Sequence, residues 1–294
     1  MKHLIVSADD FGLSDSVNEA VEQAHRDGVL TSASLMVAAP ASADAVRRAR
    51  DMPRLAVGLH LVAIEGQAVL PPQDIPDLVD RRGWFSSAQL GLGLRYGLHP
   101  SARRQLAAEI RAQFAAFAAT GLRLDHANAH KHMHMHPTVG RLLIDIGRDF
   151  GLPAIRVPAE PPLVLAACGE RVSLGNRLLF RWSGWLRRQA HRAGLLTNDY
   201  CIGIAWSGGM TAERLLRLPP HLPDGIGEIY LHPASRPDPA LETLMPDYQH
   251  TAELAALLDA DVRRGLESVG QLTCYGSTGP LPHSGNGRGA QRGG

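Results

Sequence analysis

Short apolar runs alternate along the chain with longer segments of helical periodicity. "HLIVSA", residues 3–8, is apolar, contains β-branched Ile5 and Val6, and stops against Asp9 and Asp10. That is the pattern of a buried strand with polar side chains gathered at its C-terminal end. The next segment, 14–28, spaces Val17, Ala20, Val21 and Ala24 three and four residues apart. With Ser14 or Asp15 as N-cap and Gly28 as stop, it predicts a helix. The alternation continues with a strand at 31–39 and a helix at 42–52, a strand at 55–61, and a helix near 103–121. A strand at 122–130, a helix at 137–151 and strands at 153–158 and 225–233 complete it. Strands alternating with helices predict an α/β fold with a parallel sheet, either a (β/α) barrel or a doubly wound sheet.

Polar residues recur where these strands end: Asp9 and Asp10, His60, Asn128 and His130, Arg156, His232. In a parallel barrel the C-terminal ends of all strands meet on one face, so these residues converge there although they lie far apart in sequence. The chain has no internal repeat and no clear linker that would split the core, so 1–275 reads as a single domain. Residues 67–100, rich in Pro and Gly, read as an insertion over the barrel top. Residues 276–294 offer little to bury and read as a disordered tail.

One segment, 176–195, carries a second pattern. Leu178, Trp182, Trp185 and Leu186 fall on one side of a helix, with Arg177, Arg181, Arg188 and Arg192 in a neighbouring stripe. An outer barrel helix would bury that apolar side against the sheet, whereas an interfacial helix would lay it on an anionic membrane. The tryptophans, two of the chain's four, suit either.

Composition narrows the classes. Thirty basic residues nearly balance twenty-nine acidic ones, so no global field points to nucleic acid. Cys168, Cys201 and Cys274 have no CxxC spacing, which argues against a thiolate zinc site and against a disulfide framework. The start of the chain lacks a signal-like apolar stretch, and the expected location is cytoplasmic, with peripheral contact at the inner membrane face if 176–195 is interfacial.

The candidate chemistry sits in "DHANAHKHMHMHP", residues 125–137, which holds five of the fourteen histidines. As a strand the tract would put His130, His132, His134 and His136 on one side. As a helix it would pair His126 with His130 and His132 with His136; as a low-complexity tract it would bind metal loosely. Placement at the end of a strand, with Pro137 suited to the first turn of the next helix, favours a specific site in the first residues of the tract. An Asp with two His leaves open positions for water and substrate, the arrangement of a catalytic metal. Adjacent carboxylates such as Asp9 and Asp10 allow one to bind a cation while the other serves as base, or else simply cap a turn.

Four ordered signatures, "ADDFG", "GLHL", the histidine run ending at Pro137, and "EIYLHPA", resemble those of the YdjC-like carbohydrate deacetylases, the family that includes chitooligosaccharide deacetylases. The resemblance runs from about His3 to about Tyr275. It implies a (β/α) barrel, TIM-like and distorted, with a divalent metal, Zn or Mg, at the C-terminal face of the strands. It also implies hydrolysis of the acetamide of an N-acetylglucosamine-containing substrate. Carried over by position, Asp10, His60 and His130 are the implied metal ligands, Asp9 the general base, and His232 the acid or oxyanion partner. Asn128, His132 and Arg156 are expected to support the ligands or bind substrate. Asn128 stands where the family commonly has Asp, which lowers the negative charge near the ligands. The "DHANAHKHMHMHP" form is most similar to the branch associated with hopanoid biosynthesis, which implies a lipid-linked substrate, an N-acetylglucosaminyl hopanoid. Two other activities compete: a metal-dependent phosphoesterase, disfavoured by the scarcity of Lys and Arg near the signatures, and non-enzymatic metal binding, which has no use for Asp9, His60 or His232.

Overall fold

The computed structural model describes residues 2–278. Among the described residues nine parallel strands form one sheet: β1 (Lys2–Phe11), β2 (Ser32–Leu35), β3 (Ala56–Leu61), β4 (Leu124–Ala129), β5 (Ala154–Ile155), β6 (Leu196–Thr197), β7 (Tyr200–Ile202), β8 (Gly225–Leu231) and β9 (Gln271–Thr273). Their order is β6-β5-β4-β3-β2-β1-β8-β7, with β9 paired to β1. The fold is a distorted (β/α) barrel. No ladder joins β6 to β7. Instead Asn198 Nδ2 donates to the carbonyls of Val157 and Tyr200, its Oδ1 accepts from Val157 N, and Cys201 N donates to the Ala159 carbonyl.

Alternation along the strands sorts apolar from polar side chains. Leu4, Val6 and Ala8 of β1, Leu59 and Leu61 of β3, Ala127 and Ala129 of β4, and Ile229 and Leu231 of β8 belong to the main apolar core beneath the helices. The intervening residues, Ser7 and Asp9, His60, His126 and Asn128, Glu228 and Tyr230, are also buried, and hydrogen-bond to one another or to further polar side chains that are buried or half-buried. A buried strand position can be polar only when its partners are supplied by neighbouring strands, and the barrel interior supplies them.

The first helix runs Asp15–Arg26 with Ser14 as N-cap and buries Val17, Ala20, Val21 and Ala24. A Cβ on Gly28 would sit 2.4 Å from the Leu257 carbonyl oxygen, so close approach requires glycine there. Two expected strands are shorter than their apolar runs. β2 stops at Leu35, where Met36 N turns to the Phe11 carbonyl, and β5 stops at Ile155 because Val157 bonds Asn198 instead. Residues 67–100 form antiparallel bridges Gln67 to Trp84 and Val79 to Phe85, then the helix Gln89–Leu98. Glu109 accepts the Val69 and Leu70 N–H groups and ties this segment to the helix Pro100–Ala119.

The expected tail begins in structure: Tyr275–Thr278 is helical and Gly276 N donates to Asp125 Oδ1. Its remainder, 279–294, lies outside the described residues. The helix Leu174–Arg192 divides the one-sided stripe expected of it. Leu186 is buried, whereas Leu178 and Trp182 are 58% and 45% exposed.

Candidate metal centre

Asp9 and Asp10 are consecutive, and in a regular strand they would point to opposite faces. The register of β1 against β2 shifts between Ala8 and Phe11, and Asp10 adopts φ 61°. The bulge and the left-handed residue turn both carboxylates into the site. A left-handed conformation costs a non-glycine residue on the order of 1 kcal/mol or more, and such costs gather at functional sites. Four non-glycine residues have positive φ among those described: Asp10, Glu65, Lys131 and His132. Three belong to this site and the fourth, Glu65, forms an ion pair with Lys131.

The histidine tract is neither strand nor regular helix. β4 ends at Ala129, and His130–Met135 forms a short 3-10 segment broken by left-handed Lys131 and His132. That break separates the histidines. His130 faces Asp10; the His132 ring meets the Tyr230 hydroxyl at 2.9 Å; His134 bonds the Arg156 carbonyl; His136 caps the helix Pro137–Asp149 by accepting from Thr138 N. His126 points into the barrel, toward Asp125 and Ser34. Of the alternatives open in the sequence, the single-sided strand and the i, i+4 helix are both ruled out by the positive φ values, which no periodicity encodes.

Asp10, His60 and His130 offer ligand atoms that all lie within 4.8 Å of one another. His60 Nε2 is 3.2 Å and His130 Nδ1 3.0 Å from Asp10 Oδ1, and the two nitrogens are 3.3 Å apart. Asp10 Oδ2 is buried with no hydrogen-bond partner among the described residues. Burial acts to lower the His60 imidazole, but Asp9 and Asp10 outweigh it and hold the ring above its ordinary range. Anionic charge that favours a proton on His60 favours a cation between the three residues equally, and a carboxylate with two imidazoles suits a divalent transition ion. The residues fit a metal.

Beneath the ligands, Asn128 Oδ1 lies 2.7 Å from His60 Nδ1, and Asn128 Nδ2 donates to Asp9 Oδ1 at 3.1 Å. Arg156 is fully buried. It donates to Asp9 Oδ2 at 2.5 Å and to Glu228 Oε1 at 2.7 Å, and stacks over the Tyr230 ring at 4.8 Å. Burial by itself would raise the Asp9 carboxyl; Arg156 first, then His60, hold it well below the usual range. His232 is pushed down by burial despite Asp10 and Asp9, so its resting ring is neutral near pH 7. His132 is pushed down to about 3 by burial and Arg156.

Asp9, His60, His130, His132 and His232 line one cavity of about 200 Å³ together with Tyr230, Ser207 and Tyr248. Sequence reasoning missed Glu228, Tyr230, Ser7 and Ser34. Glu228 and Tyr230 were readable, because they alternate with His232 in "EIYLH" and so share its face; the two serines carry no such signal.

The family model described as YdjC-like protein matches residues 3–268. Over 262 residues the chain is 30% identical to a carbohydrate deacetylase of Brevibacillus brevis, covering 89% of this chain and 93% of the relative. Over 277 residues it is 31% identical to a carbohydrate deacetylase of Geobacillus stearothermophilus, covering 93% and 97%. A crystal structure from Enterococcus faecalis V583, described as a candidate cellobiose-phosphate cleavage protein, superposes with a TM-score of 0.72 at 24% identity, covering 94% of this chain and 98% of that one. At that identity the likeness is one of fold.

Proposed function

The chain belongs to the YdjC-like protein family, and from that membership we propose that it is a metal-dependent carbohydrate N-deacetylase. The observation that carries the reading is the convergence of Asp10, His60 and His130, two of which, His60 and His130, line one cavity together with Asp9 and His232. Asp10 Oδ1, His60 Nε2 and His130 Nδ1 would hold the ion. A divalent ion there supplies Lewis-acid polarisation and a more acidic water.

The residues of the chain do the rest. Asp9, kept ionised by Arg156, is in the state a proton acceptor requires, although the same ion pair makes it a weak base. His232 is unprotonated at rest, so it must receive a proton before it can protonate the departing amine. His232 lines the same cavity as Asp9 and packs edge-on against Tyr230 and Tyr248, which confines its ring. Asn128 and Arg156 act from beneath. A phosphoryl substrate fits less well: Lys131 is the fixed cation lining the cavity among the described residues, and Glu65 pairs it.

For the substrate we favour an N-acetylglucosamine unit on an apolar carrier, such as a hopanoid lipid. An apolar groove of about 550 Å³ runs between the helices Gln89–Leu98 and Leu174–Arg192, lined by Leu90, Leu94, Leu98, Leu179 and Trp182, and reaches His132 at the cavity. Leu90, Leu94 and Leu98 are 87%, 64% and 69% exposed. Exposed apolar surface of this extent marks a binding surface, and peripheral contact with an anionic membrane through the arginines of 176–195 would bring such a substrate to it. Against an interfacial role for Trp182, its indole N–H already donates to the Met135 carbonyl. No helix among the described residues is long and apolar enough to cross a membrane. The test is acetate release from soluble and lipid-linked N-acetylglucosamine substrates with and without chelator. Release that persists in chelator would overturn metal dependence; release from neither substrate would overturn the deacetylase reading.

A further inference from the structure

A second polar chain lies deeper in the barrel than the ligands. His126 is fully buried, with Nδ1 3.1 Å from Asp125 Oδ2 and Nε2 3.1 Å from Ser34 Oγ. Ser34 Oγ is 2.9 Å from Asn128 Nδ2, and Asn128 Oδ1 is 2.7 Å from His60 Nδ1. The chain therefore reaches a candidate ligand from the opposite end of the barrel.

Hydrogen-bond chemistry fixes its direction at every link. An ionised Asp125 can only accept, so an imidazole at 126 with a single ring proton carries it on Nδ1 and presents Nε2 as an acceptor. Ser34 O–H donates to that nitrogen, which leaves its lone pairs to accept from Asn128 Nδ2. The amide so turned shows Oδ1 to His60, placing the His60 proton on Nδ1 and its Nε2 lone pair among the ligand atoms. In the reverse direction Ser34 would donate to Asn128 and the amide would flip. Its carbonyl would then face the Asp9 carboxylate, and its NH₂ would force the His60 proton onto Nε2, out of ligation. The fold also makes room for His126. A Cβ on Gly58 would lie 2.4 to 2.6 Å from three atoms of that ring, and Tyr275 packs against it with centroids 5.1 Å apart.

We propose that His126 is a positioning residue: through Ser34 it orients the Asn128 amide, and thereby sets the tautomer of His60 and the seat of Asp9. The inference rests on the reading of Asp10, His60 and His130 as metal ligands. Its test is ¹⁵N-histidine NMR on the zinc-bound protein, together with zinc titration against a chromophoric competitor and urea denaturation of each variant. His126 and His60 should both be protonated on Nδ1. Ser34→Ala, which removes one oxygen, should keep the fold and weaken zinc binding about 10-fold to 100-fold. His126→Leu should do the same. His126→Gln should recover much of the affinity, since its amide can accept from Ser34 and donate to Asp125. A wild type that binds no zinc overturns the ligand reading, and with it the role given to His126. Zinc binding by the wild type with His126 protonated on Nε2, or equal affinity in Ser34→Ala, overturns the positioning role alone.

Discussion

Arg156→Met tests how the barrel interior holds its charges. The guanidinium is the buried cation between Asp9 and Glu228, and methionine keeps much of the side-chain volume while removing every donor. Glu228 retains the hydroxyls of Ser7 and Tyr275, whereas Asp9 retains Asn128 Nδ2, so most of the cost falls on Asp9. Removing one member of a buried ion pair costs about 3–5 kcal/mol, because a charge is left without compensation. The cost depends on pH with a definite sign. In the wild type both carboxyls are held below their ordinary values, so the stability they contribute is present above those values and lost as pH falls through the lowered ones. In the variant, burial without Arg156 raises both, so the variant loses stability as pH rises. The gap between the two proteins should therefore be about 3–5 kcal/mol at pH 7.5 and clearly smaller at pH 5. Urea denaturation of the chelated proteins at the two pH values measures it. A gap under about 1 kcal/mol at pH 7.5, or one that does not change with pH, would mean that Arg156 is not what compensates these buried carboxylates.

Four further outcomes follow from the same geometry. Asp9→Asn should retain bound metal but lower turnover about 10² to 10⁴-fold, read by metal analysis and acetate release; loss of metal would mean that the two aspartates exchange roles. His60→Ala should lose the metal itself, leaving activity indistinguishable from that of chelated wild type. Burial raises Glu253 to about 7, so wild-type stability should fall between its ordinary value and neutrality as the unfolded chain alone releases the proton. Glu253→Gln should lack that component, seen as a flatter plot of urea midpoint against pH. Trp182→Ala with Trp185→Ala should reduce activity on lipid-linked substrate and binding to anionic liposomes while sparing a soluble analogue; equal losses on both substrates would mark the stacked pair as core.

The pattern of residues along the chain determined the alternation of strands and helices and the gathering of Asp9, Asp10, His60, His130, Arg156 and His232 at one end of a parallel barrel. Those are properties of local periodicity and of strand polarity, and both are written in consecutive residues. Strands β6, β7 and β9 span only two or three residues each and have no period to read. Tertiary structure alone decided which histidines of the tract share the centre, because positive φ at Asp10, Lys131 and His132 is held by long-range contacts and not by residue type. It also decided what the polar strand positions are for. Ser34, His126 and Asn128 show no link to one another along the chain, and become a directed hydrogen-bonded chain only when β2 and β4 enclose one interior and low dielectric makes each unpaired polar atom costly.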